Sequence, residues 1–268
     1  MISAGVLGSP ISHSLSPLLH TTIYDSLDIA ASYKAYEVAS GDLRNFLADK
    51  GSSLNCLSLT MPLKEEALTI ADSVTNISRQ IQSGNTLHKV DGQWSLTSTD
   101  VDGFTHALKF NERNPSGDVL VIGAGATARA VVAACDGISN KVTVVNRSTD
   151  REIAIRKSAP NLEIGFKSWS DEINFESFDL VVNTTPGNTA AVFVDQVKSV
   201  SATYFEVLYN PWPTQLLAKW RHSGGFGIDG LDLLIHQAIS QASIFAARPI
   251  DRDLIAETLR SVGDKALS

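Results

Sequence analysis

The stretch VLVIGAGATARAVV, residues 119–132, restricts the fold of this chain more than any other. An apolar, β-branched run meets a glycine-rich turn, and a small-residue helix pattern follows at once. Gly123, Gly125 and Ala128 supply the spacing G-x-G-x-x-A. The first glycine permits a tight turn, and the second lets backbone approach a pyrophosphate. The alanine permits close packing of helix on strand, with the phosphates met by the helix N-terminus. The stretch predicts a dinucleotide-binding α/β unit; a glycine-rich turn inside a ligand-free α/β fold is the alternative.

The next strand, KVTVVN, ends at Asn146 and runs into RSTDR. A unit for NAD usually places Asp or Glu there, to accept hydrogen bonds from the ribose hydroxyls. This chain places Asn146, Arg147 and Ser148, then Arg151. A carboxylate would repel a 2′-phosphate, whereas arginine pairs with it and stacks on adenine. The expected cofactor is therefore NADP. Asp150 beside the arginines weakens the positive field a little.

Strand-like and helix-like runs alternate along the whole chain, which points to α/β architecture. ISAGVLG, SYKAYEV and CLSLT read as strands between the helical stretches SPLLHTTIYDSL, GDLRNFLAD and KEEALTIAD. NTLHKV and QWSLT flank Asp91-Gly92, a strong hairpin signal. A second α/β series begins at PSGD, residues 115–118, and the last part is helical. The expected division is a substrate domain over 1–103, with 235–268 packing back on it, and a Rossmann-like nucleotide domain over 104–234.

The chain has 268 residues, 43% hydrophobic and 19% charged, so a packed core is expected rather than disorder. Its net charge of −7 disfavours nucleic acid as a partner and leaves a small anionic ligand open. Cys56 and Cys135 lie in apolar surroundings and read as buried thiols, with no CxxC and no metal cluster. The N-terminus lacks a signal-peptide pattern, and no segment has the length of a membrane helix. A cytoplasmic protein is expected, with a small molecule as partner rather than nucleic acid or membrane; whether it is a monomer or a homodimer stays open.

TMPLKEEA, residues 60–67, sets a puzzle. Pro62, Glu65 and Glu66 suit a helix N-terminus, whereas Lys64 opposes the dipole there by roughly 0.3–1 kcal/mol. It is either a solvated surface lysine or one placed for chemistry. Asp100 either caps the next helix or serves as a site carboxylate.

Taken in order, nine short segments resemble the shikimate dehydrogenase family. They are GSPISHSLSP (8–17), LTMPLKEEA (59–67), GNTL (84–87), STDVDG (98–103), GAGATARA (123–130), NRS (146–148), VNTTPG (182–187), YNPWPT (209–214) and GLDLLIHQA (230–238). The resemblance implies NADP-dependent reduction of 3-dehydroshikimate to shikimate, in the route to aromatic amino acids. It implies Lys64 and Asp100 as the catalytic pair. It implies Ser14 and Ser16, helped by Tyr209, as ligands of the substrate carboxylate, and Thr60, Asn85 and Gln237 as partners of the ring hydroxyls. Gly123, Ala124, Gly125, Ala126, Thr127, Asn146 to Arg151, Thr184, Val207 and Gly230 match cofactor-contacting positions. The chain departs from the family at Thr21, Asn76, Ser98, Ala126 and Leu233, none of them a catalytic position. A quinate/shikimate dehydrogenase of the same fold is the near alternative, and Arg147 argues against its NAD-using form. A non-catalytic NADP sensor is the distant one; retention of Lys64 and Asp100 argues against it. Glutamyl-tRNA reductase shares this kind of nucleotide domain, but its nucleophilic cysteine and tRNA-binding face are not evident here.

Overall fold

A computed structural model describes residues 1–268. The chain divides into two compact units, Met1–Gly103 with Leu234–Ser268, and Phe104–Leu233. The return to the first unit lies inside a helix, where no turn residue marks it, one residue before the expected 235.

The first unit carries β1 (Ile2–Gly8), α1 (Ser16–Ser26), β2 (Ala31–Glu37), α2 (Leu43–Ala48), β3 (Cys56–Leu59), α3 (Leu63–Glu66), β4 (Ser73–Val74), α4 (Asn76–Ile81), β5 (Thr86–Val90) and β6 (Gln93–Thr97). Helix α5 (Asp100–Phe110) begins in it and leads into the second unit. Its six strands lie in the order β2-β1-β3-β5-β6-β4. β1 pairs with β2 and β3 in parallel, and β5 runs antiparallel to both β3 and β6. Asp91 and Gly92 both take positive φ, 50° and 82°, and close the β5–β6 hairpin as a two-residue turn of this kind requires. Leucines at 7, 57, 59, 63, 87 and 96 form a buried core cluster beneath this sheet.

The second unit carries β7 (Gly117–Ile122), α6 (Ala126–Cys135), β8 (Ser139–Asn146), α7 (Glu152–Ser158), β9 (Glu163–Ser168), β10 (Leu180–Asn183), β11 (Thr203–Glu206), α8 (Gln215–His222) and β12 (Gly227–Ile228). The chain then returns through α9 (Gly230–Phe245) and ends in α10 (Arg252–Leu267). The sheet order is β12-β11-β10-β7-β8-β9, and every pairing is parallel. Such a sheet is covered on both faces, and Val119 to Ile122 and Leu180 to Val182 are accordingly apolar and buried without alternation. Strand order reverses between β7 and β10, the switch point at which a doubly wound sheet opens a ligand crevice beyond its carboxyl ends. No helix is long and apolar enough to cross a membrane.

Candidate active site

β3 delivers the chain to the first part of the site. Thr60, half-buried just past the strand, donates its N–H to the Leu7 carbonyl at 2.9 Å, and Leu63 N–H donates to the Thr60 carbonyl at 2.8 Å. This turn launches α3. The helix predicted from KEEALTIAD is shorter than the pattern implied: α3 spans only Leu63–Glu66, and a 3-10 turn, Ala67–Thr69, replaces its continuation. A single turn sums few peptide dipoles, so the macrodipole conflict at Lys64 is small. What surrounds Lys64 is more informative. Its Nζ donates to Asp100 Oδ2 at 2.7 Å; the lysine side chain is 16% exposed and the aspartate 2%. Glu66 does not compete for the ammonium. Its oxygens accept from Gly41 N–H at 2.8 Å and Leu43 N–H at 3.2 Å, at the start of α2.

Asp100 opens α5, and its second oxygen is taken as well. Asn85 Nδ2 donates to Asp100 Oδ1 at 2.9 Å and to Gln237 Oε1 at 3.1 Å. The Asn85 amide has a defined orientation, because its Oδ1 accepts from the backbone N–H of Thr99 at 2.8 Å. Two glycines permit this convergence. A Cβ on Gly84 would lie 2.5 Å from the Leu96 side chain, and Gly84 N–H reaches the Lys64 carbonyl at 2.9 Å. A Cβ on Gly103 would lie 3.0 Å from Gln237, so α5 and α9 pack closely where both carry site residues. Lys64, Asp100, Asn85 and Gln237 thus form one hydrogen-bonded group. A buried carboxylate fixes a more accessible ammonium, an arrangement suited to moving a proton to or from a bound oxygen.

Ser14 and Ser16 lie where the GSPISHSLSP segment turns into α1. Leu15 takes helical backbone angles, Ser16 starts α1, and Ser14 Oγ accepts from Ser16 N–H at 3.3 Å. The cause is local: a serine hydroxyl turns back on the backbone two residues on. Tyr209 belongs to the second unit, on the segment after β11.

In the second unit the nucleotide loop leaves β7 at the switch point. Gly123 has φ of 109°, and a Cβ there would lie 2.5 Å from Thr184 Oγ1, so glycine is required twice over. Thr184 is fixed against the same strand end: its N–H and its hydroxyl both donate to the Ile122 carbonyl at 2.9 Å. Gly125 is different. Its φ of −82° suits any residue, and the nearest neighbour of a Cβ would be Arg151 Nη1 at 3.6 Å. The fold does not need glycine there, whereas close approach of a pyrophosphate to this turn would. That open approach, the start of the ten-residue α6 and the Arg151 guanidinium fit a dinucleotide.

Beyond β8, Asn146 Nδ2 donates to the Ser148 carbonyl at 2.7 Å and shapes the turn. Ser148 Oγ donates to Asp150 at 3.2 Å. The Arg147 guanidinium lies 5.4 Å from the Trp169 ring centroid, a cation–π distance. Gly230 meets the segment after β11 backbone to backbone. A Cβ would lie 2.4 Å from the Leu208 carbonyl carbon and 2.5 Å from the Val207 oxygen.

Two contributors escaped the sequence reading. Trp169 follows β9, a strand that KSW does not announce. Glu206 is wholly buried and accepts from Asn183 Nδ2, Tyr204 Oη, Thr214 Oγ1 and Leu208 N–H, the last at 3.3 Å. Burial pushes its carboxyl above the ordinary glutamate range, against the pull of these donors. The acid inside the apolar run TYFEVL was the available signal: it anchors the segment that carries Val207.

Residues 6–87 match the shikimate dehydrogenase substrate binding domain. The chain is 34% identical over 272 residues to the NADP(+) shikimate dehydrogenase of Oleidesulfovibrio alaskensis, covering 96% of this chain and 95% of that protein. The crystal structure of Mycobacterium tuberculosis shikimate dehydrogenase aligns with a TM-score of 0.86 at 31% identity, over 98% of this chain and 100% of that one. Shikimate 5-dehydrogenase from Thermus thermophilus, solved in complex with NADP(H) and shikimate, aligns with a TM-score of 0.84 at 28% identity, over the same shares.

Proposed function

The chain belongs to the shikimate dehydrogenase family, and from that membership we propose that it interconverts 3-dehydroshikimate and shikimate with NADP, in the biosynthesis of aromatic amino acids. The observation that carries the mechanism is the Lys64–Asp100 contact at 2.7 Å, with Asn85 and Gln237 joined to it. NADPH, when bound, supplies the hydride that reduces the ring carbonyl carbon. Lys64 supplies the proton that the resulting alcohol oxygen needs, and takes it back in the oxidative direction. Asp100 holds the lysine Nζ in place and Asn85 holds Asp100. Thr60, Asn85 and Gln237 engage the ring hydroxyls, while Ser14 and Ser16 engage the substrate carboxylate.

On the cofactor side, Gly123, Ala124, Gly125, Ala126 and Thr127 cradle the pyrophosphate. Asn146, Arg147, Ser148 and Arg151 receive the phosphorylated ribose, and Thr184, Val207 and Gly230 border the rest of the cofactor. Arg147 is the residue that favours NADP over NAD, because its charge complements the 2′-phosphate.

Lys64→Met tests the proton role. The variant keeps a stem of similar length and loses the ammonium. Shikimate binding, measured by calorimetry, should change little, and NADP-linked turnover should fall by ~10²–10⁴. Turnover near wild type would refute the assignment.

A further inference from the structure

Behind Asn85 the buried hydrogen bonds form a directed chain with Gln241 as its hub. Gln241 sits on α9 one helical turn after Gln237 and is 4% exposed. Its Nε2 donates to the Asn85 carbonyl at 2.9 Å and to Thr86 Oγ1 at 3.1 Å. Thr86 Oγ1 donates in turn to Asn85 Oδ1 at 2.7 Å. On its other side, Gln241 Oε1 accepts from Ser58 Oγ at 2.7 Å and lies 3.3 Å from His20 Nε2. Tyr33 closes that branch, donating to Ser58 Oγ at 2.6 Å and stacking on the His20 ring at 4.1 Å.

The direction of these bonds is set by groups that have no choice of role. The Asn85 carbonyl only accepts, so the Gln241 atom facing it is the nitrogen. Gln241 Oε1 then faces His20, which must present a protonated Nε2. His20 Nδ1 is left to accept from Tyr24 Oη at 3.0 Å. The imidazole is therefore neutral, in keeping with the burial that pushes it down to about 3. At the far end, the Thr99 N–H fixes Asn85 Oδ1 as acceptor and leaves Nδ2 to Asp100 and Gln237. Every arrow thus runs from His20 through Gln241 and Thr86 to Asn85, and on to Asp100.

A packed core has no need of six such polar side chains behind Asn85, since apolar groups of similar size fill the same space without desolvation cost. A fully satisfied buried network does specify one geometry. This one touches Asn85 twice, at its carbonyl and through Thr86 at its side chain. We infer that Gln241 is a positioning residue for the reaction: it holds Asn85 in the one orientation that presents Nδ2 to Asp100 and Gln237. The inference rests on the shikimate dehydrogenase reading of the site.

Steady-state kinetics with NADP and shikimate on wild type, Gln241→Leu, Thr86→Val and the double variant test it, with thermal melting measured alongside. Gln241→Leu should lower kcat/KM for shikimate roughly 10-fold and leave the KM for NADP within about twofold, the loss matching about one hydrogen bond at the site. Thr86→Val cuts one of the two links and should lower the same quantity by roughly threefold. Because both act through Asn85, the double variant should lose less than the product of the single losses. A hub that only stabilises the fold would lower the melting temperature and leave shikimate kcat and KM at wild-type values in both single variants; that result overturns the inference. Should Gln241→Leu fail to fold, an unchanged kcat/KM in Thr86→Val overturns it alone. An inactive wild type would refute the reading beneath it as well, whereas an active wild type with unaltered variants refutes the positioning role only.

Discussion

At the scale of single residues, the site turns on which charges are held and which are left accessible. Asp100 is buried with one oxygen on Lys64 and the other on Asn85. Asp100→Asn keeps the shape and removes the charge that orients the ammonium. Turnover should fall by ~10²–10⁴, as for loss of an acid/base group. If the pair acts as a unit, Lys64→Met combined with Asp100→Asn should be far less impaired than the product of the single effects, in steady-state rates. Additive losses would mean that the two residues work separately. Arg147 poses the matching question for the cofactor. It is exposed and steadied by Trp169. Arg147→Asp exchanges attraction for repulsion at the 2′-phosphate and should weaken NADP by roughly 10- to 150-fold, the value of one charge-assisted contact, with NAD affected much less. Titration of both cofactors by tryptophan fluorescence separates these outcomes.

At the scale of elements, glycines set how closely strands, turns and helices meet, and two of them predict opposite phenotypes. A Cβ on Gly230 would strike the backbone of Leu208. Gly230→Ala should cost about 1–3 kcal/mol in urea unfolding, as overpacking against rigid neighbours does. A Cβ on Gly125 would meet only the flexible end of Arg151. Gly125→Ala should cost no more than about 1 kcal/mol, for a poorer helix N-cap, and should lose NADP affinity instead. The elements legible in the sequence were those with a local cause. The β7–turn–α6 segment declares itself through glycine spacing, and the β5–β6 hairpin through Asp91-Gly92. Elements that escaped are mostly short: β4 and β12 have two residues each, α4 and β9 six, with Gly165 inside β9, and α7 and α8 seven and eight. The same division holds in the site. Lys64, Asp100 and Asn85 stand in short motifs, whereas His20 and Gln241 are 221 positions apart and meet only in the folded chain.

At the scale of the whole molecule, the buried network makes stability depend on pH. His20 titrates near 6.5 when unfolded and is held to about 3 by burial when folded. Between those values the unfolded chain binds more protons. Its contribution is thus present above pH 6.5 and lost as pH falls toward 3, by at most ~1.4 kcal/mol per pH unit. Glu206, with its carboxyl raised by burial, works in the opposite sense: its contribution is present below 4.5 and lost as pH rises through its folded value. Urea unfolding at a series of pH values should therefore show His20→Gln with a shallower acid decline than wild type; an unchanged slope would mean that His20 is protonated in the fold. The activity assigned to the molecule is tested most directly by initial rates with shikimate and quinate, each with NADP and with NAD. Shikimate with NADP should give the highest kcat/KM of the four pairs. Equal or faster turnover of quinate with NAD would contradict the account.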